Sequence, residues 1–136
     1  MTARRRTIAL IITALVFSVT PALAQAASAL TAVASDAGGV HVVVKPKNTA
    51  GPAWEFDVSM DTHIKPLNDD LTKAAVLVDG AGHRYAPTAW QGDPPGGHHR
   101  KGTLRFPAPT APTKSFELHL QGVGGVGDRA FQWTAK

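Results

Sequence analysis

Two short segments of the chain carry side chains that could bind a metal ion. Asp61 and His63 lie two residues apart at the end of an alternating stretch, and His98 and His99 are adjacent in a segment rich in glycine and proline. If the backbone is extended at Asp61 and His63, both side chains point to the same side. Imidazole suits Cu(II), Zn(II) and Ni(II). We therefore take Asp61, His63, His98 and His99 as a candidate transition-metal site, with Cu or Zn as the expected ion.

Other interpretations of these residues stay open. His98 and His99 point to opposite sides of an extended chain, so both reach one ion only if the segment bends. The histidines could instead form a polar network with nearby carboxylates, in which Arg100 closes an ion pair. The segment from Trp90 to Gly102 could also be a rigid loop that contacts a small ligand or an exported protein partner. The three remaining histidines are expected to be solvated: His41, His83 and His119.

Enzymatic chemistry finds little support in the sequence. The chain has no cysteine and no serine in a G-x-S-x-G turn. A triad of Ser59, His63 and Asp61 would crowd three groups onto one strand face, with no oxyanion hole in sight. The segment Gly122–Gly127 matches G-x-G-x-x-G, but the few residues after it alternate as a strand and supply no helix for a dinucleotide. We expect a protein that is not an enzyme.

The N-terminal residues have the features of a secretory signal peptide. Three arginines at positions 4–6 precede an apolar run at 8–19, and small residues around Ala24 and Ala26 offer a cleavage site. The run is shorter than the roughly 20 residues that a membrane-spanning helix needs. We therefore assign residues 1–26 to a cleaved signal peptide. The mature protein is expected to be periplasmic or extracellular, with no membrane insertion after cleavage.

Removing the signal peptide also changes the charge balance. The whole chain has a formal charge of +4, but the residues after position 26 carry 11 basic and 10 acidic side chains. A nearly neutral domain with one small basic cluster does not favour binding to nucleic acid. We expect no nucleic-acid partner.

Short strands must position these side chains. The clearest strand is 54–60, where Trp54, Phe56, Val58 and Met60 alternate with polar residues, so Met60 is expected in the core rather than on a metal. Residues 27–39 are interpreted as a flexible lead-in or a weak first strand, and residues 40–136 as the β-sandwich domain. A short helix is expected near 68–75. The other predicted strands are 40–44, 74–78, 83–86, 103–106, 116–120 and 130–133.

About seven short strands with turn signals between them and no long amphipathic helix predict an all-β fold. The expected architecture is an antiparallel, immunoglobulin-like β-sandwich that follows the cleaved signal peptide. Phe131 and Trp133 alternate with polar residues in the last strand and are expected to face the core.

Several segments resemble a group of uncharacterised exported bacterial proteins with a single β-sandwich domain. The segments that carry the resemblance are residues 54–63, which end in Met-Asp-Thr-His, residues 74–79, residues 90–102, which contain Gly-Gly-His-His, and residues 122–126. The resemblance implies an exported domain and brings no catalytic residues with it.

Overall fold

A computed structural model describes residues 30–135, which form two antiparallel sheets packed face to face. The first sheet has the strand order β1-β2-β3-β7-β6, and the second has the order β5-β4-β8-β9. This confirms the predicted all-β sandwich. In chain order the elements are β1 Val33–Ala37, β2 Val40–Asn48, β3 Ala53–Thr62, α1 Leu71–Ala74, β4 Ala75–Asp79, β5 Arg84–Tyr85, β6 Ala89–Gly92, β7 His99–Pro107, β8 Ser115–Leu120, a 3-10 turn Val123–Gly125 and β9 Arg129–Thr134.

Alternation along the strands decides which side chains fill the core. In β3, Trp54, Phe56, Val58 and Met60 are all buried, as their spacing predicts. Phe131 of β9 is buried against them from the opposite sheet, together with Trp133. Aromatic rings from both sheets meet edge to face, tilted or stacked, with centroids 5.0–6.0 Å apart. Met60 therefore belongs to the core, as expected.

The described residues contain nine strands rather than about seven. Residues 33–37, within the segment interpreted as a lead-in or a weak first strand, form β1 and pair with β2. Residues 89–92 form β6 at the other edge of the same sheet. Neither segment shows a marked alternation of apolar and polar residues, and each forms an edge strand that pairs with one neighbour only. The predicted signal peptide, residues 1–26, lies outside the described residues.

The segment from Trp90 to Gly102 is less irregular than its composition suggests. Strand β7 begins at His99, four residues before the predicted start at Thr103, so only residues 93–98 form a loop. Hydrogen bonds to β3 extend β7 through a stretch that has no apolar alternation. His99 is consequently a strand residue, directly opposite Asp61.

One end of the sandwich gathers the turns that surround the candidate site. The β1–β2 turn, the end of β3, the 93–98 loop and the 122–127 turn all meet there. Gly38 in the β1–β2 turn has φ near +59° and lies so close to Gly124 that an added Cβ would stand 2.7 Å from its carbonyl oxygen. A side chain at that position would therefore separate the two turns.

Candidate metal site

Strand register places four candidate side chains in one row across the first sheet. Asp36 of β1 lies opposite His41 of β2, His41 lies opposite Asp61 of β3, and Asp61 lies opposite His99 of β7. Residues that face each other in antiparallel strands project from the same side of the sheet, with Cβ atoms about 4.5–5.5 Å apart. The neighbours Val40 and Thr62 are buried, so the row lies on the outer face.

The row contains two carboxylate–imidazole pairs. The Nδ1 atom of His41 lies 2.5 Å from the Asp36 carboxylate, and Nδ1 of His99 is hydrogen-bonded to the Asp61 carboxylate. An ionised carboxylate only accepts hydrogen bonds, so each Nδ1–H donates. In the neutral ring this tautomer leaves the Nε2 lone pair available. Metal-binding histidines are commonly held in this tautomer by a carboxylate.

A surface cavity of about 450 Å³ opens beside the row. Its lining includes Asp36, His41, Asp61, Thr62 and His63. Asp61 and His63 thus face the same space, as expected from their spacing of two. The Thr62 hydroxyl donates to the Gly39 carbonyl at 2.9 Å, which fastens the end of β3 to the turn that forms the opposite wall.

The four residues predicted as metal ligands do not all meet. Asp61 and His63 line the cavity, and His99 contacts Asp61 from the next strand. The His98 carbonyl accepts a hydrogen bond from the Thr62 amide at 2.9 Å, while the His98 residue is exposed to solvent. Within residues 30–135, no three His, Asp or Glu side chains are close enough to enclose an ion in their present rotamers. The metal site itself therefore stays a prediction.

Sequence reasoning missed His41 and Asp36. Strand alternation correctly places His41 outside the core, but a solvated histidine was expected where the structure has a hydrogen-bonded one. The pairing with Asp61 depends on how β2 and β3 align, and this is set by the connection near residues 49–52 together with a register shift between Pro46 and Asn48. The hairpin alone therefore does not place His41 beside Asp61, because the shift changes every partner beyond it by one residue.

The 93–98 loop beside the site is held by backbone hydrogen bonds. Leu67 donates to the Gly97 carbonyl at 2.9 Å and accepts from the Gly96 amide at 2.8 Å. Asp93 accepts from the Lys101 amide through its side chain, also at 2.9 Å. Positive φ values at Gly96 and Gly97 allow the backbone to reverse here. The loop is therefore a fixed element with exposed side chains.

Arg100 anchors this region from inside. Its side chain points inward and is fully buried, whereas the sequence suggested an ion pair with a carboxylate. The guanidinium donates to the carbonyls of Asp69 at 2.7 Å and Leu67 at 3.2 Å. The Trp90 ring lies 5.5 Å from it in a cation–π contact. Burial lowers the pKa of Arg100, against the opposing charges of nearby acids.

Arg129 is a second buried arginine, and it donates hydrogen bonds to the turns behind the cavity. It donates to the carbonyls of Ala37 at 2.7 Å, Val40 at 3.2 Å and Val123 at 3.3 Å. Ala37 and Val40 flank the β1–β2 turn and line the cavity, while Val123 belongs to the 3-10 turn of the second sheet. One buried guanidinium thus joins both sheets behind the site.

Comparisons with protein-family models, curated proteins and solved structures find no match for this chain. No helix within residues 30–135 combines the length and the apolar character needed to cross a membrane.

Proposed function

We propose that this protein is an exported, non-catalytic β-sandwich that binds a transition-metal ion, Cu(II) or Zn(II), in the cavity beside the histidine row. The ligands are His41, Asp61 and His63, which line that one cavity. Asp36 and His99 are positioning residues, since each is hydrogen-bonded to a ligand: Asp36 to His41, and His99 to Asp61. Asp61 and His63 are ligands in both this set and the sequence prediction. His41 takes the place of His98, and His99 supports the ligand Asp61 through a hydrogen bond instead of binding the ion itself.

The observation that carries the proposal is the Asp36–His41 pair at the edge of a cavity that Asp61 and His63 also line. Binding needs new rotamers of exposed side chains, and such side chains change rotamer within picoseconds to nanoseconds. Two imidazole nitrogens and a carboxylate oxygen are donors that both ions accept.

A carrying or storing role suits this site better than catalysis. The Asp36 side chain is 74% exposed, and that of His99 is 68% exposed. Metal-assisted reactions depend on a shaped, water-poor cavity around the open coordination position. An open site on the face of a sheet favours exchange of the ion with solvent or with another protein.

The direct test is calorimetric titration of the metal-free protein with Cu(II) and, separately, with Zn(II). The double variant His41→Ala/His63→Ala is expected to bind at least about 100-fold more weakly, because losing even a supporting partner of a ligand costs roughly 10–100-fold. His98→Ala is the matched control and is expected to bind like the unmodified protein. Equal affinity of the double variant, or a His98→Ala loss as large, would contradict this ligand set.

A second candidate function is a protein-interaction module that docks on another exported protein through the segment Trp90–Gly102. It is favoured by the fixed backbone and exposed tip of the 93–98 loop. A preorganised loop loses little conformational freedom on binding.

This alternative predicts a result that the metal site does not. Replacing residues 94–97 by serines should abolish cross-linking to an exported partner, while replacing Ala111 and Pro112 in a distant connection should leave it unchanged. Cross-linking to the same partner by both variants would exclude the loop as the docking element.

A further inference from the structure

A second titratable cluster lies on the outer face of the other sheet. The His119 side chain is only 17% exposed and lies between two carboxylates. Its Nε2 atom is 2.7 Å from Glu117, and its Nδ1 atom is 2.9 Å from Asp128. The expectation that His119 is solvated was therefore wrong.

The hydrogen bonds define the charge state of the ring. Ionised carboxylates accept hydrogen bonds and cannot donate, so both ring nitrogens of His119 must carry a proton. Burial opposes the charged imidazolium, but the hydrogen bonds and the charges of Asp128 and Glu117 outweigh it and raise the pKa of His119 above its ordinary value of 6.5. Loss of the proton leaves one nitrogen lone pair facing a carboxylate.

Asp128 is the last residue of the turn between β8 and β9. Within the turn, Gly125 donates to Gly122 at 3.0 Å, while Gly122 donates to Gly127 and Val126 donates to Val123, both at a long 3.3 Å. Arg129 holds the first half of the turn through the Val123 carbonyl. In the second half, residues 125, 127 and 128 are exposed. The Val126 side chain lies beside Gly38 of the first sheet, and the Asp128–His119 pair joins this second half to β8 of the second sheet.

The groups around His119 add no competing charge on the sheet itself. Val76 of β4 and Ala130 of β9 lie opposite it on either side. From α1, Lys73 is directed toward Asp70, with the two charged groups 3.9 Å apart. The titration of His119 is therefore governed by its two carboxylate partners.

We propose that Glu117, His119 and Asp128 form a pH-controlled clasp that holds residues 125–128 against the sheet while the ring is protonated and releases them on alkalinisation. Glu117, His119 and Asp128 do not line the cavity of the metal site, so this proposal does not rest on the proposed function. Protonated His119 stabilises the folded state. This stabilisation is fully present below pH 6.5, and it is lost as the pH rises through the raised pKa of His119 in the folded protein.

The experiment is an NMR titration of the protein, without residues 1–26, from pH 6 to pH 9. The ring protons of His119 report its titration, and the methyl groups of Val126 report the order of the turn without interference from amide exchange. The order of the Val126 methyl groups is expected to fall with the same midpoint as the His119 titration, above pH 6.5. Asp128→Asn removes the charge but keeps an acceptor for Nδ1–H, so the His119 midpoint should drop and the order of Val126 should fall at the same lowered midpoint.

His83→Gln is the matched control, because His83 also pairs with a carboxylate, Asp79, at 3.1 Å but is 63% exposed. It should leave both readouts unchanged. The clasp is overturned if Val126 keeps its order from pH 6 to pH 9, if its order changes at a different midpoint, or if Asp128→Asn behaves like the unmodified protein.

Discussion

Replacing Arg129 by Met is expected to lower the free energy of unfolding by about 4 kcal/mol, measured by urea denaturation at neutral pH. The guanidinium supplies hydrogen bonds to the Ala37, Val40 and Val123 carbonyls. The Val123 carbonyl keeps the Val126 amide, so the cost falls on the Ala37 and Val40 carbonyls, at roughly 1–3 kcal/mol for each buried acceptor that loses its donor. Methionine has a similar apolar stem, so the packing of the chain between the sheets is largely kept. The expected loss of stability therefore comes from the carbonyls that lose a hydrogen-bond donor.

Arg84→Met is the control for this variant, because Arg84 is an exposed residue of β5 in the same sheet. Exposed substitutions of this kind usually change stability by less than about 0.5 kcal/mol. Arg129→Lys gives a second, milder test: it keeps a charge but loses the planar fork that reaches several carbonyls at once. If Arg129→Met is no less stable than Arg84→Met, the carbonyls behind the cavity do not depend on this side chain.

The positions of the buried strands could be predicted because burial follows a period of two. Trp54, Phe56, Val58 and Met60 occupy alternate positions, and each is buried in the structure. The alternation comes from the backbone geometry of a strand and needs no knowledge of its neighbours. The same logic correctly placed Phe131 and Trp133 inside.

The row of Asp36, His41, Asp61 and His99 could not be predicted in the same way. Its order depends on three separate strand pairings, and a slip of one residue in any of them would send one side chain to the other face. The residue types suggested that Asp61 and His99 lie close together, but only if the glycine-rich segment bends. In the structure a straight ladder between β3 and β7 brings them together.

Arg100 shows a different limit of pattern reasoning. Strand β7 buries Leu104 and Phe106, so parity alone places Arg100 on the inner side as well. The charge of the residue argued instead for an ion pair with a carboxylate. Arg100 points inward, as the alternation requires, because the backbone carbonyls of Leu67 and Asp69 accept hydrogen bonds from its guanidinium. Both residues belong to the connection after β3. Those acceptors lie more than 30 residues away in the chain and are invisible locally.

Arg100→Met is expected to lower the free energy of unfolding by about 3 kcal/mol. Replacing a buried charge by an apolar side chain can be neutral or stabilising when its charged partners are replaced with it. Here the partners are main-chain carbonyls, which no side-chain substitution removes. The Asp69 carbonyl, 2.7 Å from the guanidinium, would lose its donor, whereas the Leu67 carbonyl keeps the Gly96 amide. The smaller number of orphaned acceptors is the reason that the loss is smaller than for Arg129.

Lys101→Met is the control for this variant, because it removes a positive charge from the same strand at an exposed position. It should stay within about 0.5 kcal/mol of the unmodified protein. Amide exchange supplies a second readout in the Arg100→Met variant: the Gly96 and Leu67 amides should exchange faster than those of β8, since the guanidinium fixes the connection that pairs with the 93–98 loop. Unchanged stability together with unchanged exchange at these two amides would mean that Arg100 is a tolerated buried charge. In that case the backbone pairing of Leu67 with the loop would hold this end of the sandwich by itself.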